Sequence, residues 1–177
     1  MRKVLYILGQ LDDRDIAWMA RHGRKQRLAP GTVLITEGVP VDDLFIVLDG
    51  ACDVLVDKVG KVASLGVGEI IGEMSFVDAQ PPSATVAADL PSVVLALDKR
   101  EMADRLAGDA GFGSRFYRAL AIFLSDRLRR TQTKPKLGDG GSLDQDSALE
   151  DELDVNVLDS VSKAGENFNR LIRMLNG

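Results

Sequence analysis

Between residues 28 and 97 the chain is a series of short β-rich runs cut by turn residues, and no other feature limits its fold as strongly. The runs are Thr32-Val33-Leu34-Ile35, Leu44-Phe45-Ile46-Val47-Leu48, Cys52-Asp53-Val54-Leu55-Val56, Val62-Ala63-Ser64-Leu65, Ala84-Thr85-Val86-Ala87-Ala88 and Val93-Val94-Leu95-Ala96-Leu97. Pro30-Gly31, Gly38, Asp49-Gly50, Gly60, Gly66 and Gly68 separate them. Short strands at this spacing form an antiparallel sandwich or barrel. In the third run Cys52, Val54 and Val56 alternate with Asp53 and Leu55, the pattern of a half-buried strand.

Helical periodicity flanks this region. Residues 11–21 read as a helix with Ile16, Met19 and Ala20 on one stripe and Asp12 or Asp13 as cap. A basic stretch follows (Arg21, His22, Arg24, Lys25, Arg27), read as a solvated loop and strand edge, with a partner-docking patch as the alternative. Residues 99–106 form a short helix and residues 112–130 a longer one. On the longer helix Phe112, Phe116, Leu120, Phe123 or Leu124, and Leu128 fall on one side. That stripe packs on the roll, forms a coiled-coil-like homodimer seam, or does both along its length.

Low hydrophobicity, glycine and acidic charge make residues 133–154 a flexible linker. Residues 155–175 then read as an amphipathic helix carrying Leu158, Val161, Gly165, Phe168, Leu171, Ile172 and Leu175. Such a face needs cover, and a sister subunit or another protein is the favoured cover, with the roll folding without it. The expected layout is a domain at 1–132, a linker at 133–154 and a terminal helix at 155–177, in the α+β class: an antiparallel β-roll flanked by helices.

Composition removes several functions. Cys52 and His22 are the single residues of their types, too few for the usual zinc sites or an intramolecular disulfide, and a reducing cytoplasm fits. A net charge of −5 disfavours nucleic acid as a partner. The apolar run after Met1 is too short for a signal peptide, and no stretch approaches a membrane span. Ser75 and Ser83 have no histidine nearby in sequence, so an enzyme is not expected. No cofactor is expected either.

The chemically informative segment is residues 68–86, Gly-Glu-Ile-Ile-Gly-Glu-Met-Ser-Phe-Val-Asp-Ala-Gln-Pro-Pro-Ser-Ala-Thr-Val. A glycine lets backbone approach an anion closely, and free N–H groups at a helical turn favour negative charge. A carboxylate there can accept hydrogen bonds from ribose-like hydroxyls. The segment resembles the phosphate-binding cassette of the cyclic-nucleotide-binding domains. That family places Gly-Glu after an aliphatic residue, then a variable, a small and an apolar residue, a loop, and finally Arg, a small residue, Ala, a variable and an aliphatic residue. Here these are Ile71, Gly72, Glu73, Met74, Ser75 and Phe76, then Pro82, Ser83, Ala84, Thr85 and Val86. Upstream, residues 34–38, 44–47 and Gly50 match the family's other pattern, so the resemblance covers residues 11–130 and implies an eight-stranded roll.

The resemblance implies a ligand site for cyclic AMP or cyclic GMP at Gly72, Glu73, Met74, Ser75, Pro82, Ser83, Ala84 and Thr85. It also exposes a departure: the family's phosphate-pairing arginine is Pro82, which has neither charge nor N–H. One charge-assisted hydrogen bond contributes about 1.5–3 kcal/mol, so the loss weakens phosphate binding by roughly one to two orders of magnitude. Lys58 and Lys61 are candidates to replace the charge. Two functions compete: a non-enzymatic sensor with weakened or altered ligand binding, and a ligand-free roll acting as a dimerisation or protein-interaction scaffold. A transcription factor is disfavoured, because no helix-turn-helix pair follows residue 130.

Overall fold

The structure, a computed structural model, describes the backbone of residues 5–133 and 155–176 and the side chains of residues 7–129 and 162–176. Most of the expected linker therefore lies outside the described residues. Helices α1 (Leu5–Gln10) and α2 (Asp13–His22) lead into strands β1 (Arg24–Leu28), β2 (Val33–Ile35), β3 (Asp43–Asp49), β4 (Ala51–Val56), β5 (Gly60–Gly66) and β6 (Ile70–Ile71). Helix α3 (Glu73–Val77), strands β7 (Thr85–Ala88) and β8 (Ser92–Asp98), and helices α4 (Lys99–Gly108), α5 (Ala110–Thr133) and α6 (Val155–Asn176) follow. Two antiparallel sheets of four strands form the roll, in the orders β1-β8-β3-β6 and β2-β7-β4-β5. The α+β class and the helix-flanked antiparallel roll are as the sequence indicates.

Strands β3 and β8 carry unbroken apolar runs because both of their faces are covered. Successive side chains alternate sides. Leu44, Ile46, Leu48, Leu95 and Leu97 face a helical layer with Met19, Phe112, Phe116 and Leu120. Phe45, Val47, Val94 and Ala96 face the interior between the sheets, with Cys52, Val54, Leu65 and Val86. Desolvation in that interior pushes the Cys52 thiol up to about 11, leaving it a packing residue at neutral pH.

In the basic stretch, Arg24, Lys25 and Arg27 lie on β1, an edge strand of its sheet, as the reading of a strand edge expects, while Arg21 and His22 end α2 rather than form a loop. Strand β1 pairs with β8 along its full length, Arg24 opposite Ala96 through Leu28 opposite Ser92. Leu28 is its one buried residue. Helix α2 begins where expected: Asp12 accepts from the N–H groups of Arg14 and Asp15, and Asp15 accepts from the Asp12 N–H. Asp15 is fully buried and also receives Arg115 of α5 in a two-pronged contact at 2.7 and 3.0 Å, which fixes α5 against α2.

The stripe on α5 goes to the chain's own core. Phe112, Phe116, Leu120 and Phe123 are all buried there, so of the expected homodimer seam Leu128 remains exposed, at 59%.

Helix α6 overturns the favoured docking on a partner: it lies against α1 and α2 of its own chain. Ala164 and Leu171 are buried in the helical layer, with Phe168, Ile172 and Leu175 packed around them. The buried Asn167 side-chain amide donates to the carbonyls of Leu8 (2.7 Å) and Leu11 (3.1 Å). A helix ending at Gln10 leaves its last carbonyls without intrahelical partners, and α6 supplies them. Arg170 pairs with Asp13, and Lys25 donates to the Asn176 side chain, at the rim.

Removing these donors strands buried carbonyls. Asn167→Ala should destabilise the chain by about 1–3 kcal/mol, read as a lowered midpoint in urea unfolding. A chain ending at Gln132 should lose more, because the apolar cover of α1 leaves with it. Midpoints equal to that of the full chain would show α6 to be energetically separate.

Candidate functional site

The segment at residues 68–86 folds as strand, tight turn, short helix and loop. Gly72 sits at φ +88°, where a Cβ would meet the Asp43 carbonyl at 3.3 Å, so conformation and space both require glycine. The turn delivers Glu73 inward as the first residue of α3, with 3% of its surface exposed. Beyond α3 the loop returns to β7, where the Pro82 carbonyl accepts from the Gly38 N–H at 2.8 Å.

These elements enclose a cavity of about 90 Å³. Gly72, Glu73, Met74, Ser75, Pro82, Ser83 and Ala84 line it, on an apolar floor that includes Ile35, Val54 and Val86. Thr85 is not in that lining. Its hydroxyl faces the β2–β3 connection and accepts from the Glu37 N–H at 3.0 Å. The Ser75 hydroxyl is engaged inside the fold, donating to the Gly72 carbonyl (3.2 Å) and accepting from the Lys99 amine (2.8 Å).

The cavity's cation comes from an unexpected place. Arg127 of α5 lines it, and its Nη1 donates to Glu73 Oε1 at 2.7 Å. The Phe123 ring lies 5.8 Å from the guanidinium carbon. Neither Lys58 nor Lys61 lines the cavity; Lys61 pairs with Asp53 at 2.8 Å on the β4–β5 hairpin. The expectation that one of them replaces the missing charge is therefore corrected. One signal for Arg127 was present in the sequence. The stripe Phe116, Leu120, Phe123 continues at its next step with an arginine, and a cation on a buried stripe calls for a buried anion.

Burial pushes the Glu73 carboxyl above its ordinary range; the Arg127 charge and hydrogen bond, with backbone hydrogen bonds at Glu73 and Gly72, bring part of that back. Lys99 lies close enough to feel Asp42, Glu73 and Asp43, yet its own burial dominates and lowers its pKa. The site is thus a buried carboxylate compensated by a guanidinium from a different element, beside an anion-sized hollow. Among the described residues no cluster could hold a metal ion, and no helix is long and apolar enough to cross a membrane.

Comparisons with known proteins bear on the family and the fold. The family described as cyclic nucleotide-binding domain matches residues 25–109. Glutaminase 2 of Bradyrhizobium diazoefficiens is 30% identical over 74% of this chain and 21% of its own length. A cAMP-dependent protein kinase regulatory subunit of Yarrowia lipolytica is 32% identical over 53% of this chain and 25% of its own. The chain thus spans about a fifth to a quarter of these curated relatives. The crystal structure of a cyclic nucleotide-binding domain from Methylobacillus flagellatus superposes with a TM-score of 0.65 at 26% identity, covering 76% of this chain and 85% of that one.

The raised Glu73 pKa has a signed consequence. The folded state holds this proton more tightly than the unfolded chain, so the residue's contribution to stability is greatest below its unfolded pKa near 4.5. It falls as pH rises to the folded pKa and is constant above that. Urea unfolding of the native chain and Glu73→Gln over roughly pH 4–8 should show the native chain losing stability relative to the variant with rising pH. A pH-independent difference would mean that the carboxyl is not buried.

Proposed function

We propose that this chain, which belongs to the cyclic nucleotide-binding domain family, is a regulatory module that takes cyclic AMP or cyclic GMP at the cavity of residues 72–75 and 82–84, with affinity weakened by Pro82. One observation carries the reading. Seven of the eight expected ligand-contacting residues line one hollow, and the acid among them is hydrogen-bonded to α5, the helix that follows the roll. In this reading Glu73 accepts from ribose hydroxyls and the backbone around Ser83 and Ala84 receives the cyclic phosphate. Displacement of Arg127 tells α5 that the site is full. The name of the Yarrowia relative, a regulatory subunit, supports a non-enzymatic role. The buried, unpaired-in-sequence Cys52 fits a cytoplasmic setting.

The size of the hollow favours a second reading. Ligand pockets commonly run to roughly 300–1,000 Å³, and about 90 Å³ will not admit a nucleotide unless Arg127 or the 77–82 loop moves. A roll that keeps this shape permanently is a scaffold, with homodimerisation or a protein partner on exposed residues such as Tyr117 and Leu128.

Isothermal titration with both cyclic nucleotides separates the two. Wild type should bind weakly, and Pro82→Arg should bind about 10- to 100-fold more tightly, the scale of one charge-assisted hydrogen bond. Absence of heat and of thermal shift in both proteins would establish the scaffold.

A further inference from the structure

Resting on the reading of the cavity as a cyclic-nucleotide site, we propose that Arg127 is its phosphate-contacting residue, supplied by α5 in place of the charge that Pro82 cannot provide. The cassette itself contributes Glu73 and no cation to the lining. Pro82 offers neither a charged side chain nor an N–H donor. Lys61 is held by Asp53 on a distant hairpin, and Lys99 is directed to the Ser75 hydroxyl, outside the lining. Arg127 is the cation among the described lining residues.

Its Nη1 engages Glu73, and the planar guanidinium fork matches carboxylate and phosphate oxygens alike. The guanidinium carbon lies 5.8 Å from the Phe123 ring centroid. One third of the Arg127 side chain is exposed (33%), against 3% for Glu73, so the guanidinium is the partner with room to swing. A nucleotide entering a hollow of about 90 Å³ must move that group first. The phosphate then draws it along, while Glu73 exchanges part of its arginine contact for a ribose hydroxyl.

Charge balance gives the same answer. Glu73 alone would present a buried negative charge to an anionic ligand; the Glu73–Arg127 pair presents none. An arginine at position 82 would hold the phosphate within the roll. An arginine on α5 makes the helix part of the ligand's shell, so occupancy and helix position become one variable.

The test is calorimetry on the full chain with cyclic AMP and cyclic GMP, and with adenosine and guanosine, which keep the ribose hydroxyls and base but lack phosphate. Arg127→Gln should weaken cyclic-nucleotide binding about 10- to 100-fold, whereas nucleoside binding should stay the same or tighten, because no arginine has to be displaced from Glu73. In a Pro82→Arg background the same change should cost no more than about twofold, because the phosphate then has a cassette cation. Arg127→Lys, which keeps the charge but loses the fork, should bind with an affinity between those of wild type and Arg127→Gln, and melting curves confirm that each variant is folded. Equal losses for nucleosides and cyclic nucleotides would overturn the proposal, as would tighter cyclic-nucleotide binding by Arg127→Gln or the same loss in both backgrounds. Failure of wild type and Pro82→Arg alike to bind any cyclic nucleotide would overturn the reading of the cavity itself, whatever stands at position 127.

Discussion

Strands β3 and β8 are apolar on both faces, and the rest of the molecule is arranged to satisfy them. A sheet with one wet face could stand on a single partner layer. This one needs two: the second sheet on the inside and a helical layer on the outside. The inner requirement produces the roll and the hollow between its sheets. The outer requirement recruits α1, α2, α4 and α5, then α6 over α1. The site lies where these layers meet. Its floor comes from the roll interior, and its cation comes from a helix of the outer layer.

That position explains why Glu73 tolerates burial. A carboxylate with 3% of its surface exposed costs several kcal/mol unless it is paired. The cassette fixes its backbone through Gly72 but supplies no cation, so compensation has to come from elsewhere. Arg127 can supply it only because α5 is itself fixed upstream, by the Asp15–Arg115 contact and by Phe112 and Phe116 in the helical layer. A buried acid on α2 therefore helps place an arginine about three turns further along α5.

Much of this was legible in the sequence, and the failures share a cause. The run in β4 was readable because its side chains alternate, and those in β3 and β8 because they are short apolar runs bounded by turn residues. Gly72 and Glu73 were readable through the resemblance of their segment to the phosphate-binding cassette, and the positive φ of Gly72 gives the glycine its physical reason. Strand β1 was legible only as a strand edge, since Arg24, Lys25 and Arg27 are exposed and its pairing with β8 is a long-range fact. Helix α1 was not legible, because six residues form a stable helix only under cover, and Asn167 provides that cover from far along the chain. Helix α6 was recognisable as amphipathic, but an apolar face does not specify what covers it. Arg127 was missed for the same reason: the cation was sought near the cassette and came from a helix 54 residues beyond Glu73.

Under the proposed ligand reading, the Glu73–Arg127 contact also limits how strongly the site can signal. A ligand shifts a conformational equilibrium only by its difference in affinity for the two states. A ligand that exchanges one charge-assisted contact on α5 for another can shift the helix by no more than the imbalance between them. With each contact contributing about 1.5–3 kcal/mol, that imbalance is about 1.5 kcal/mol at most, a population change of about tenfold. The Asp15–Arg115 anchor opposes any larger displacement, because breaking it would leave a fully buried carboxylate unpaired. Motion is thereby confined to the end of α5 beyond the anchor, which carries Arg127 and the exposed Leu128. A graded rotation of that end, rather than a release of the whole helix, is the response this architecture permits.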